Sequence, residues 1–320
     1  MDWYPLVFNP IIKERIWGGT KLRDVLHKPI VSNISGESWE LSTVPGDVSI
    51  VANGALEGTD LNAVVALNPE AVLGKKVVAQ FGDQFPLLFK FLDAREDLSI
   101  QVHPNDALAK ERHNSFGKTE MWYVMQADPG AQLIVGFKED SNAEAYQTAL
   151  AQHQVVDLLA KHSVQKGDVF FLETGTVHAI GAGTLIAEIQ QTSDITYRIY
   201  DFDRRDAQGN LRELHTELAL EAINYQRTES KKTYAQNTNV SNVMVDCPYF
   251  TTSFIPLTDT ASVHCTNDSF TVLMVMEGDC TLLCGDKKME LTKGTTILLP
   301  AALEAVQLKG NAELLEITIS

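Results

Sequence analysis

Gly167-Asp-Val-Phe-Phe-Leu-Glu-Thr-Gly-Thr-Val-His-Ala-Ile180 is the stretch on which the reading of this chain turns. The apolar run Val169 to Leu172 enters a turn centred on Gly175, and His178 opens the short strand that follows. A lone histidine in such a place is ordinarily a hydrogen-bonded core residue. Two further segments change that reading. In Leu98-Ser-Ile-Gln-Val-His-Pro-Asn-Asp106, side chains of an extended chain alternate faces, so Gln101 and His103 point the same way before Pro104 ends the strand. In Gly117-Lys-Thr-Glu-Met-Trp-Tyr-Val-Met125, Glu120 opens an aromatic and β-branched run, and Lys118 shares its face. A carboxamide, two imidazoles and a carboxylate (Gln101, His103, Glu120 and His178) suit zinc or another borderline divalent ion, with bond lengths of about 2.0–2.2 Å. No cysteine lies among them, which argues for a position open to water or substrate rather than a closed structural site.

The glycine turn and His178 resemble the second sequence motif of the cupin β-barrels, in which the histidine is a metal ligand reaching into the barrel. The chain departs from that motif at Glu173, where proline is usual, and at Ala182, where asparagine is usual. The pattern recurs downstream without its chemistry. Gly294 to Ala305 aligns with Gly167 to His178, restoring a proline at Pro300 but placing Ala305 where His178 stood. Thr271 to Met276 aligns with Glu120 to Met125, with Thr271 in place of Glu120. The two alignments have different offsets, and the stretch from Asn142 to His162 accounts for the difference. It reads as a helix capped by Ser141 or Asn142, with an apolar face through Leu150, Val155, Leu158 and Leu159.

Short strands with glycine or proline punctuation predominate, which favours barrels over a parallel sheet. The expected fold is mainly β: two cupin-like (jelly-roll) β-barrels with short helical insertions in the N-terminal half, at about 60–80 and 141–162. Further short helices are predicted from Asn68-Pro69, from Asn105 directly after the Gln-x-His strand, and from Thr216, acting as its cap. The polar run between Arg227 and Val240 places the domain boundary so that 1–235 binds metal and 236–320 has lost its ligands.

At 320 residues the chain is long enough for two domains with cores. Its formal charge of −16 argues against nucleic acid as a partner and requires a local cluster of cations for any anionic substrate. The start, Met1-Asp-Trp-Tyr-Pro-Leu, lacks the basic and apolar regions of a signal peptide, and no apolar run approaches a membrane span. Cys247, Cys265, Cys280 and Cys284 fit no common zinc spacing and read as reduced thiols of a cytoplasmic protein, monomeric or homodimeric.

Seven segments together resemble type I mannose-6-phosphate isomerase in its shorter bacterial form. They are Arg15-Ile-Trp-Gly-Gly19, Gly36-Glu-Ser-Trp-Glu-Leu-Ser42, Phe85 to Leu92, Leu98 to Asp106, Gly117 to Trp122, Gly175 to Ile180 and Gln190 to Asp203. They cover the N-terminal half densely and the C-terminal half only loosely. The resemblance implies one zinc ion per chain on Gln101, His103, Glu120 and His178. It implies interconversion of mannose 6-phosphate and fructose 6-phosphate through an enediol(ate), with Arg198 beside the sugar as a main catalytic residue. A permanently charged guanidinium suits oxyanion or phosphate stabilisation and makes a poor base. Lys118 would meet phosphate or a hydroxyl, or act as an acid; Ser99 and Lys90 would contact phosphate and hydroxyls respectively. Asp194 is the leading carboxylate for base or for orienting Arg198, with Glu40 or a metal-bound hydroxide as alternatives. Trp17 and Trp39 pack the mouth of the barrel, where Trp17 could also stack on sugar. Two other readings stand beside this one: a cupin oxygenase, which would typically carry His-x-His, and a sugar-phosphate-binding regulatory paralogue.

Overall fold

The computed structural model describes residues 2–205 and 209–319. Antiparallel pairing builds three main sheets. A seven-stranded sheet runs in the order Lys231–Lys232, Val169–Leu172, Glu120–Ala127, Thr184–Gln191, Leu87–Ala94, Ser35–Leu41 and Ile11–Gly19. A five-stranded sheet runs Leu159–Ser163, Gln132–Phe137, His178–Ile180, Ile100–Val102 and Tyr197–Tyr200. The C-terminal part forms an eight-stranded sheet around the long strands Thr271–Cys284 and Ala305–Thr318. The mainly β expectation holds, as facing antiparallel sheets; among the described residues no strand pairing closes them into a continuous ring.

Alternation along each strand sets the layers. In Glu120–Ala127, Trp122 and Val124 face the five-stranded sheet and pack with Leu133, Val135 and Ile180. Met121, Tyr123 and Met125 face the other way, against Val272, Met274 and Leu315 of the C-terminal sheet. Phe85 packs against Phe270 across this seam in a tilted arrangement, with ring centroids 4.8 Å apart. The five-stranded sheet covers its outer face with Tyr146 and Ala149 of the helix Ala143–Ala151 and Ala219 of the helix Thr216–Ala222.

The internal repeat has a structural counterpart. Leu172 pairs with Glu120 and Val169 with Tyr123, while Leu299 pairs with Thr271 and Thr296 with Met274, the same register in both halves. Inside the C-terminal half the space is filled by Leu273, Val275, Leu282, Ile297, Leu308 and Leu314.

Some local expectations are corrected. The helix expected over Asn142 to His162 ends at Ala151, although Asn142 caps it as expected by accepting from the Ala145 N–H. His153 adopts a left-handed φ of 58°, which stops the helix. Val155–Leu158 forms a 3-10 turn, and Leu159–Ser163 becomes an edge strand paired with Gln132–Phe137. Thr216 is the first helical residue rather than the cap, because the His215 N–H is drawn to Arg198 O at 2.7 Å. The helices expected from Asn68 and Asn105 occur as Pro69–Leu73 and Asp106–His113, each capped by its asparagine. The N-terminus also crosses the expected boundary in one respect: Leu6–Val7 pairs with Ile297 and Leu298 of the C-terminal sheet. The four cysteines are free thiols. Among the described residues no helix is long and apolar enough to cross a membrane.

Candidate metal centre and cationic cavity

The two N-terminal sheets bring the expected ligands together. His178 lies opposite Gln101 in the strand register, and Glu120 opens the facing strand. The turn before His178 needs Gly175, whose φ is +86° and whose added Cβ would meet Ala222 O at 2.7 Å. Its N–H donates to His103 O at 2.9 Å, which ties the turn to the second ligand strand. The imidazole centroids of His103 and His178 are 4.8 Å apart, and the His178 ring meets Trp122 edge-on. Ligand atoms of His103, Glu120 and His178, all buried, lie within 4.8 Å of one another.

The hydrogen bonds behind these side chains fix which atoms face inward. His103 Nδ1 donates to Ile195 O and His178 Nδ1 to Thr176 O, both at 2.8 Å. Each Nε2 therefore presents a lone pair to the centre, the arrangement found behind metal-ligating histidines. Burial first, then the Lys118 ammonium, push His178 down to about 3; the same causes, with His178 itself, hold His103 well below its ordinary value. Both rings are neutral, as ligands must be. Gln101 Nε2 lies 3.3 Å from His178 Nε2, so its amide also points into the centre, and a half-turn presents its oxygen there.

Glu120 supplies the test of whether this donor set fits a cation. It is fully buried, and its Oε1, 3.3 Å from His178 Nε2, has no hydrogen-bond partner. An orphaned buried carboxylate oxygen is costly unless a cation meets it. Two carboxylates share the local ammonium groups unequally. Glu188 has Lys90 at 3.2 Å, Lys118 at 4.0 Å and the Trp122 indole N–H at 2.9 Å, and these outweigh its burial and hold it well below the usual carboxylate range. Glu120 has Lys118 in contact and Lys90 farther off. Burial, reinforced by the Glu188 charge and opposed by Lys118 and more weakly by Lys90, pushes it up to about 7. Lys118 is buried too, but Glu120 and Glu188 more than offset that and keep its ammonium above the ordinary value. Its Nζ also lies 3.1 Å from His103 Nε2. One carboxylate, two imidazoles and an amide form a donor set that fits a divalent ion of borderline softness.

This centre lies at the wall of a cavity of roughly 410 Å³, within the usual range for small-molecule sites. Of the sequence candidates, Trp17, Lys90, Ser99, Gln101, Lys118, Asp194 and Arg198 all line it. Arg15, Glu37, Glu188 and Arg212 line it as well, beyond the residues expected from the sequence. Gly36 explains the first of these. A Cβ there would lie 2.6 Å from the Trp17 ring and 2.7 Å from Arg15 Cβ, so glycine is what lets both side chains reach the cavity. Glu37 accepts from Arg15 Nε at 2.7 Å and from the Trp39 indole at 2.6 Å. Five cations therefore meet in one cavity of a chain carrying −16 overall. That is the local cluster an anionic substrate requires.

Glu40 does not belong to the cavity. It shares the Ser38 face of its strand, opposite Glu37 and Trp39, accepts from Ser38 Oγ, and pairs with Lys28 Nζ at 2.6 Å. Lys28 also donates to Gly294 O at 2.8 Å, so this buried pair joins the two halves. Glu40→Ala is expected to strand the Lys28 ammonium and lower the unfolding free energy by about 3–5 kcal/mol. Urea unfolding checks this, and bound metal is expected to stay unchanged; metal loss without loss of stability would return Glu40 to the site.

Residues 6–132 match the family model described as phosphomannose isomerase type I, catalytic domain, and residues 239–319 match mannose-6-phosphate isomerase, cupin domain. The chain is 37% identical over 318 residues to mannose-6-phosphate isomerase ManA of Bacillus subtilis, covering 98% of each. It is 36% identical over 317 residues to the mannose-6-phosphate isomerase of Streptococcus mutans, covering 97% of each. The crystal structure of the Bacillus subtilis mannose 6-phosphate isomerase superposes with a TM-score of 0.90 at 34% identity, covering 98% of this chain and 99% of that one. A mutant phosphomannose isomerase from Salmonella typhimurium shares the fold at 18% identity, with a TM-score of 0.81 over 99% of this chain and 100% of that one.

Proposed function

Because the chain belongs to the type I phosphomannose isomerases, a family of aldose–ketose isomerases, we propose that it interconverts D-mannose 6-phosphate and D-fructose 6-phosphate through an enediol(ate). The observation that carries this reading is that the His103–Glu120–His178 cluster adjoins, through Gln101 and Lys118, a cavity lined by five cationic side chains. We assign catalysis to residues 1–235 and a supporting role to 236–320, whose interior is filled by apolar side chains. Free thiols fit a reducing compartment, and we place the activity in the cytoplasm.

The reaction moves a proton between C1 and C2 of the open-chain sugar. It needs a base, stabilisation of a developing oxyanion and a grip on the phosphate. His103, Glu120 and His178, with Gln101, would hold one zinc ion, which when bound acts as a Lewis acid toward the sugar oxygens. We assign the base to Asp194. Glu37 and Glu188 line the same cavity, but their cationic neighbours hold both below the usual carboxylate range, which makes them weak bases. Asp194 lies on the exposed rim, one residue before the carbonyl that anchors His103. It would take the proton from C2 onto a carboxylate oxygen and return it to C1. Lys118, kept protonated by its acidic neighbours, would give a proton to O1 and recover one from O2, so that the hydroxyl proton moves as the carbon proton does. Arg198 would stabilise the negative charge that develops on the enediolate oxygens. Trp17 and Trp39 wall the cavity, where an aromatic face excludes water from the sugar.

Following mannose 6-phosphate directly by carbon NMR tests the reading. Fructose 6-phosphate is expected to appear until the two reach a fixed ratio, approached equally from either side. Run in deuterium oxide, the reaction is expected to leave some deuterium on C1 of the ketose, because a proton held on Asp194 at the cavity rim exchanges with solvent. A folded, zinc-loaded protein that converts neither sugar phosphate would overturn the assignment.

A further inference from the structure

Charge pairing inside the cavity is uneven. On the side of the seven-stranded sheet each cation has a carboxylate: Arg15 meets Glu37 at 2.7 Å, Lys90 meets Glu188 at 3.2 Å, and Lys118 meets Glu120. On the side of the strand Tyr197–Tyr200, two guanidiniums bind one buried carboxylate and a third, Arg198, lies nearby. Asp201 accepts from Arg204 Nη2 at 2.5 Å and from Arg212 Nε at 2.6 Å, with Arg212 Nη2 on its other oxygen. Arg198 donates Nη1 to a main-chain oxygen, Glu213 O, at 2.8 Å, and its Nε is buried with no acceptor. Burial and the nearby Arg212 push Arg198 below the ordinary guanidinium value, a sign that positive charge is crowded here. Asp194 also lines this wall, and the Glu213 charge acts on Arg198. The guanidinium donors not taken up by a carboxylate therefore sit beside Tyr197–Tyr200, on Arg198, and not at Lys90 or Lys118.

The two guanidiniums that line the cavity on this wall differ in what they can reach. Arg198 is paired in register with Gln101, and opposed residues in antiparallel strands have Cβ atoms about 4.5–5.5 Å apart. Arg198 is thus tied to the metal end of the cavity. Arg212 comes from outside that sheet, and Asp201 holds it by Nε and Nη2, which turns its other, end-on edge away from the carboxylate. An arginine fixed along one edge offers a pre-set fork for a phosphate on the other. The Ser99 and Thr196 hydroxyls line the same cavity and add short-range donors.

We infer that Arg212 is the side chain that grips the phosphate of the sugar phosphate, with Asp201 as its positioning residue. The assignment rests on the proposed sugar-phosphate isomerase reading and divides the two cavity arginines, Arg198 to the reacting carbons and Arg212 to the distal anion.

The test compares Arg212→Ala and Arg212→Lys with the unaltered protein in two assays: steady-state isomerisation of mannose 6-phosphate, and calorimetric binding of fructose 6-phosphate and inorganic phosphate. Loss of one charge-assisted pair predicts a KM about 10- to 100-fold higher in Arg212→Ala, with kcat reduced much less. Both anions are expected to bind more weakly by the same factor. Arg212→Lys is expected to recover part of the loss, because it restores charge without the fork. Asp201→Asn, which loosens the fork, is expected to raise KM by a smaller factor in the same direction. A KM unchanged in Arg212→Ala, or a kcat that falls as far as KM rises, would overturn the assignment while leaving the isomerase reading intact. Anion binding lost in Arg212→Ala, in a protein that turns over neither sugar phosphate, would instead support the phosphate site and overturn the isomerase reading.

Discussion

Arg198→Ala is expected to lower kcat by about 10²- to 10³-fold, the usual consequence of removing one preorganised donor from a developing oxyanion. The side chain is well prepared for that role. Glu213 O fixes Nη1, the register pairs its strand position with Gln101, and a buried Nε with no acceptor leaves a donor in reserve. The same geometry predicts that metal content stays at the level of the unaltered protein, because Arg198 bonds to none of His103, Glu120 or His178. KM is expected to move less than kcat, in contrast to the pattern at Arg212. Arg198→Lys keeps a charge but loses the planar fork and is expected to recover only a small part of the rate. Parallel measurement of kcat, KM and bound metal by atomic absorption separates the outcomes. An unchanged kcat would remove Arg198 from the reacting centre, and loss of metal would make its role structural.

His178→Ala is expected to abolish both metal binding and turnover. Its Nε2 faces Glu120 Oε1 at 3.3 Å and Gln101 at 3.3 Å, so one substitution removes a donor from the middle of the cluster. Loss of an outer hydrogen-bond partner alone costs a metal site about 10- to 100-fold, and loss of a direct ligand is expected to exceed that. Truncation also leaves a hole beside Trp122 and His103, so His178→Gln serves as the companion variant: it fills more of the volume and keeps an amide oxygen. If His178→Gln folds with an unaltered urea midpoint yet binds little metal, the defect lies in ligation and not in packing. A fully metallated, active His178→Ala protein would refute the ligand assignment.

The candidate centre was legible in the sequence because each residue of it sits in a short local pattern. Gln101 and His103 obey the two-residue period of one strand, Glu120 and Lys118 that of another, and Gly175 marks the turn that delivers His178. Glu37 and Glu188 were not singled out because their role arises from strand pairing: Trp39 pairs with Lys90, and Lys90 pairs with Glu188. Glu37 did carry a readable signal, since it shares the face of Trp39, whereas Glu40 lies one residue on and therefore faces the other way. Arg212 carried none, because it meets Asp201 through a tertiary contact that no sequence periodicity predicts. The over-long helix failed for a related reason. Leu158 and Leu159 are apolar at helical spacing, but the left-handed turn at His153 redirects them into a 3-10 turn and an edge strand.

If the His103–Glu120–His178 cluster and the cationic cavity work as one metal-dependent isomerase site, activity must follow metal content. The most direct test measures fructose 6-phosphate formation from mannose 6-phosphate in the protein as purified, after chelation, and after zinc is restored. Activity is expected to be lost on chelation and recovered with about one zinc per chain. Full activity in a demonstrably metal-free protein would contradict it.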